Sequence, residues 1–151
     1  MAYLDTATVT NLNSRCIAQT GTFYSSGVVT ATGNTGVIAT PLVTDGGLAI
    51  LPLYFFAVGT LMTTDETNDI TIDWYPNATG TAGIGTTTFN QLTAGSPSDF
   101  EVWPGDVTIW DTVKPLLLPL PPYCKITHTL GGTAKSMIYV ISCYYVTFGG
   151  A

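Results

Sequence analysis

The chain has 151 residues and a formal net charge of −6, set by ten acids and four bases. Only 9% of it is charged, against about 25% in an average soluble domain. The bases Arg15, Lys114, Lys125 and Lys135 are too few and too scattered to neutralise a phosphate track, which argues against a nucleic-acid-binding role.

The charge has been replaced largely by threonine, of which there are 27. Threonine, valine, isoleucine and the aromatics favour strands. No window repeats apolar residues at helical spacing. Gly, Pro, Asn and Asp clusters fall at short intervals. The pattern predicts a single all-β domain, an antiparallel sandwich with a jelly roll as its expected form. At this length a core needs no disulfide or metal to hold it.

Residues 1–14 are polar and rich in Thr and Asn, and read as an extended arm or an edge strand ahead of a domain over 15–151. They open on Met1-Ala2-Tyr3-Leu4-Asp5, without a basic run and apolar stretch, so no secretory signal is expected. Segments 15–19 and 22–32 read as strands, 33–36 as a turn and 37–43 as a strand. Thr44-Asp45-Gly46-Gly47 is a hairpin signal. The apolar run 48–62 is shorter than a membrane span and is broken by Pro52 and Gly59. It reads as a buried strand pair, with Pro52 at a bend or an edge.

Residues 68–75 alternate. Ile70, Ile72 and Trp74 share one face, while Asp69, Thr71, Asp73 and Tyr75 share the other, wetter face. Residues 77–88 are rich in Gly, Thr and Ala and read as a long loop. Two short strands, 100–103 and 107–110, flank Pro104-Gly105-Asp106. The proline-rich stretch 115–122 reads as a surface crossing.

The last element reads as a hairpin, 123–130 and 133–148 joined by Gly131-Gly132. Its register would set Cys124 against Tyr139, Ile126 against Met137 and His128 against Lys135. Cys143 would lie about 13 Å along the strand from Cys124, too far to bridge. The three cysteines, Cys16, Cys124 and Cys143, read as free thiols suited to a reducing cytosol. Aromatics on both faces of this hairpin point to one face on the core and the other on a partner.

Candidate sites are few. His128 is the only histidine, with no partner for a triad, and reads as a surface residue. Asp65, Glu66 and Asp69 form the densest acidic cluster, either a solvated turn or a set of oxygens for calcium. Asp99, Glu101, Asp106 and Asp111 surround Trp103 and Trp110. That arrangement is a core with capped turns, a glycan-binding surface or, in its enzymatic form, a paired-carboxylate glycosidase. Asn77-Ala78-Thr79 matches the glycosylation sequon but lacks a supporting export signal. The glycines of 80–85 lack the lysine of a phosphate loop. No catalytic residue, cofactor or metal ligand is assigned, and the chain reads as non-enzymatic.

In its length, Thr/Gly-rich β composition, low charge, export-free start and closing hairpin 123–148, the chain resembles small virion proteins of tailed bacteriophages, capsid decoration (cement) proteins in particular. The resemblance implies a virion protein assembled in the host cytoplasm. It would be a homotrimer seated on the major capsid protein and locking neighbouring shell subunits. Tyr3, Leu4 and Leu12 of the arm and Tyr139, Tyr144, Tyr145 and Phe148 of the hairpin are the interface candidates. A tail or adhesin module binding a glycan at Trp103, Trp110, Asp99 and Glu101 is the alternative. A whole capsid jelly roll is a further one. Most of the acids lie between Asp65 and Asp111. The ends of the chain are therefore the expected docked surfaces, and the middle the outward one.

Overall fold

A computed structural model describes residues 18–60, 65–102, 120–133 and 135–148. The described residues are all-β and form two antiparallel sheets packed as a sandwich. The first sheet has the order β1 (Ala18–Val29), β11 (Met137–Phe148), β5 (Leu48–Thr60) and β4 (Thr44–Asp45), with β9 (Ser98–Val102) also on β5. The second has β10 (Tyr123–Gly131) and β6 (Thr67–Tyr75) at its centre. β2 (Gly33–Asn34) and β3 (Ile38–Ala39) pair with β10; β7 (Gly85–Thr88) and β8 (Leu92–Thr93) pair with β6.

The alternation read in 68–75 holds in β6: Ile70, Ile72 and Trp74 are buried. The hairpin signal at 44–47 also holds. Thr44 faces Ala49 and Asp45 faces Leu48. Gly46 and Gly47 take φ values of 57° and 79°, which a primed two-residue turn needs and side chains resist. The run 48–62 does not form a strand pair. Residues 48–60 are one strand, β5, flanked by β11 on one side and by β4 and β9 on the other. It reads as continuously apolar because both its faces are apolar. Pro52 sits at an irregularity: Tyr144 faces Tyr54 and Tyr145 faces Pro52, leaving Leu53 as the extra residue. The expected loop 77–88 is shorter, because 85–88 pair with β6 as β7.

The closing hairpin is overturned. β10 and β11 lie in different sheets, so the chain passes from one sheet to the other after Gly131 and before Met137. Cys124, Ile126 and Leu130 on β10 and Met137, Tyr139, Ile141 and Cys143 on β11 are buried. A hairpin would place both sets on one side of one sheet, whereas an arch lets them cover each other. Distant residues fix the arch. Thr133 N donates to Asp65 Oδ2 (2.8 Å) and Ser136 N to Glu66 Oε1 (2.6 Å). At Gly132, φ 103°, a Cβ would lie 2.6 Å from the Asp65 carbonyl oxygen, so no side chain fits. Glu66 is only 1% exposed, which corrects its reading as part of a solvated turn.

Threonine hydroxyls serve the backbone along the edge of β10. Leu130 N donates to Thr32 Oγ1 and Ile126 N to Thr35 Oγ1. His128 is no surface residue beside Lys135. It is half-buried between the sheets, with Nδ1 3.0 Å from Tyr139 Oη and Nε2 3.0 Å from Ala31 O. A carbonyl can only accept, so Nε2 donates to Ala31 O, and in the neutral ring Nδ1 is then the acceptor of the phenol proton. Burial, reinforced by Tyr24, pushes the Tyr139 phenol up, which keeps that donor protonated.

Cys124 and Cys143 are free and fully buried, in opposite sheets. Burial pushes both thiols up to about 12. Neither is expected to react with Ellman's reagent at pH 8 until guanidinium unfolds the chain. Prompt labelling of either, located by mass spectrometry, would contradict this packing.

Asn68 is 0% exposed and faces the core between Leu92 and Leu130 on the adjoining strands. Neither polar atom of its side chain has a hydrogen-bond partner among the described residues. Asn68→Leu is expected to raise stability by about 1–3 kcal/mol in urea unfolding, because it removes a buried unpaired amide at similar volume. A loss of stability would mean that the amide is paired.

Candidate functional site

The two sheets present very different outer faces. Along β11 the odd positions 137–147 are buried and the even positions 138–146 are half-exposed. On β5 the outward residues include Tyr54, Phe56 and Val58, and on β1 Thr20, Thr22, Ser25 and Val28. These three strands lie side by side, so Ile138, Val140, Ser142, Tyr144 and Val146 form the middle of the face. No charged side chain lies on this face among the described residues. Phe56 is 38% exposed and Val28 62%. Tyr54 and Tyr144 stack, with ring centroids 5.0 Å apart and planes at 27°. With Thr20, Phe56 and Ser142 they line an open groove of about 240 Å³.

The outer face of the second sheet is polar. Asp69, Thr71, Asp73 and Tyr75 on β6 lie beside Thr129, Thr127, Lys125 and Tyr123 on β10. Lys125 Nζ pairs with Asp73 Oδ2 at 3.2 Å. Asp73 and Tyr75 beside it raise the lysine's pKa.

The predicted site residues separate accordingly. Tyr144 lies on the uncharged face, at its aromatic stack. Tyr139 and Tyr145 are core residues, 0% and 4% exposed, and present little surface to a partner. Tyr139 bonds to His128, while Tyr145 Oη donates to Asp45 Oδ2 at 2.9 Å. Phe148 ends β11, and its side chain is outside the described residues, as are Tyr3, Leu4, Leu12, Trp103 and Trp110. Asp99, on β9, ties down the segment after β7: Asn90 N donates to its Oδ2 at 2.7 Å. Glu101 pairs through its backbone with Phe55, and its side chain is outside the described residues.

The acidic cluster of 65–69 is divided. Asp65 and Glu66 hold the arch, and Asp69 accepts from Gln91 Nε2 on the outer face. No group of three or more metal-ligating side chains occurs among the described residues. No helix of the described residues is long and apolar enough to cross a membrane.

The reading from sequence missed Phe56, Val58 and Tyr54. Their signal was present, since an apolar run with no alternation means that both faces of the strand avoid water or meet protein. A comparison with known protein families and with curated proteins finds no match.

Proposed function

We propose that the protein is a non-enzymatic structural component of a virion that binds an assembled phage capsid and stabilises it. The observation that carries this reading is the uncharged, aromatic outer face of the first sheet. Among the described residues the charged side chains lie elsewhere and one broad face is left neutral. Such a face can be desolvated without stripping water from ions. Tyrosines supply apolar area with a polar tip, as protein interfaces favour. Binding only to the assembled shell would stabilise that shell by mass action. The resemblance to decoration proteins names the capsid, and with it the homotrimer, the major capsid protein as partner and assembly in the host cytoplasm.

The test is re-addition. Virions stripped of the protein are incubated with it and pelleted, and occupancy is measured. Saturable binding to shells, and none to unassembled major capsid protein, is the expected result. Failure to bind shells would remove the reading. Light scattering of the free protein is expected to give the mass of three chains of 15.9 kDa each. Removal of residues 2–14 is expected to lower occupancy if the arm contributes to docking.

A further inference from the structure

The outer face of the second sheet holds an open hollow of about 340 Å³, lined by Asp73, Tyr75, Gly83 and Thr86 among others. Four features of it converge on one kind of ligand. Tyr75 lines the hollow and is half-exposed, giving an aromatic floor. The loop 76–84 closes against the Tyr75 ring: Cβ atoms built at Gly80 and Gly83 would lie 3.9 and 3.6 Å from its Cε1. That loop is held in shape by Asn77, whose Oδ1 accepts from Thr79 Oγ1 (2.7 Å) and Thr81 N (3.3 Å). Beside the aromatic floor stands a carboxylate held by a hydroxyl on one oxygen and an ammonium on the other. Asp73 Oδ1 accepts from Thr86 Oγ1 at 2.8 Å, and Asp73 Oδ2 pairs with Lys125 Nζ, itself 6.0 Å from the Tyr75 ring centre.

Asp73 is the charged residue lining the hollow, and Lys125, on the neighbouring β10, offsets that charge through the ion pair. Side by side, an acceptor and a donor match vicinal hydroxyls, each of which both donates and accepts. The Tyr75 ring offers flat apolar area to the C–H face of a sugar ring. The volume lies at the low end of the range, about 300–1,000 Å³, for small-molecule sites. We propose that this hollow is a saccharide subsite that takes one neutral pyranose unit. It lies on the opposite side of the sandwich from the uncharged face, and stands whether or not that face docks on a capsid.

The full chain is screened on an array of neutral mono- and oligosaccharides, and any ligand found is titrated against ¹⁵N-labelled protein. The expected result is binding with amide shifts concentrated at Gly83, Gly85 and Thr86. Asp73→Ala and Lys125→Met are each expected to weaken it about tenfold or more through loss of a charge-assisted hydrogen bond. Lys125→Met keeps the apolar stem, so it separates loss of the ligand contact from loss of fold. Phe56→Lys on the opposite face is expected to bind as the parent does. No binding to any sugar on the array, shifts elsewhere on the chain, or undiminished binding by either hollow variant would overturn the proposal.

Discussion

Phe56→Lys is expected to abolish docking while leaving the fold intact. Phe56 is 38% exposed, faces outward on β5 beside Ser142, and lines the same groove as the Tyr54–Tyr144 stack. In the free protein the lysine head can reach water from this position, so the cost to stability is small, about 0.5 kcal/mol. In the docked state the ammonium would have to be desolvated against a neutral face with no counter-charge. That costs several kcal/mol, and about 3 kcal/mol already corresponds to a hundredfold loss of affinity. Pelleting with stripped capsids measures the loss, and thermal unfolding measures the fold. Thr129→Lys, at an exposed position on the second sheet, is the matched control and is expected to dock normally. Equal docking by Phe56→Lys and the parent would move the contact surface off the first sheet.

The same face explains what could be read from the sequence and what could not. β6 was legible because its two faces differ chemically: Ile70, Ile72 and Trp74 are buried, while Asp69, Thr71, Asp73 and Tyr75 point outward. On β11 the two faces do not differ in that way. Met137, Tyr139, Ile141, Cys143 and Tyr145 line the core, but Ile138, Val140, Tyr144 and Val146 opposite them are equally suited to burial. Aromatics on both faces were visible from spacing alone. Which tyrosines faced outward was not, and Tyr139 and Tyr145 prove to be inside.

The arch between β10 and β11 was illegible for a different reason. Two apolar strands separated by Gly-Gly fit a hairpin or an arch equally well. The choice is made by Asp65 and Glu66, which accept hydrogen bonds from residues 68 and 70 positions away in sequence. The hollow on the second sheet was half legible. Parity placed Asp73 and Tyr75 on the wet face, but Lys125 comes beside them only through the β6–β10 register, and Thr86 only through the pairing of β7.

Trp74→Ala is expected to be the most damaging change for stability, because Trp74 joins the two sheets. It lies on β6 in the second sheet and is 2% exposed. Its ring meets Phe23 of β1 edge-on at 5.9 Å and Phe55 of β5 at 5.8 Å, both in the first sheet. Phe23 and Phe55 meet each other at 5.3 Å and 75°. Edge-to-face pairs of this kind contribute about 0.5–1.5 kcal/mol beyond their buried area. Truncation to alanine should cost about 3–5 kcal/mol for the lost ring and its cavity. It also orphans Thr87 Oγ1, which accepts from Trp74 Nε1 at 2.9 Å and is buried, adding about 1 kcal/mol. That total is a large share of the roughly 5–15 kcal/mol that holds a domain folded. Trp74→Phe keeps most of the ring contacts but not the indole donor, so its cost should be about half or less. Adding Thr87→Val to Trp74→Phe removes the orphaned hydroxyl and should recover part of that loss. Urea unfolding of the three variants checks the scheme. Trp74→Ala costing under about 1 kcal/mol would mean that the sheets are held together elsewhere. If Thr87→Val instead worsens Trp74→Phe, the Thr87 hydroxyl contributes to stability through some bond other than the one it makes with Trp74.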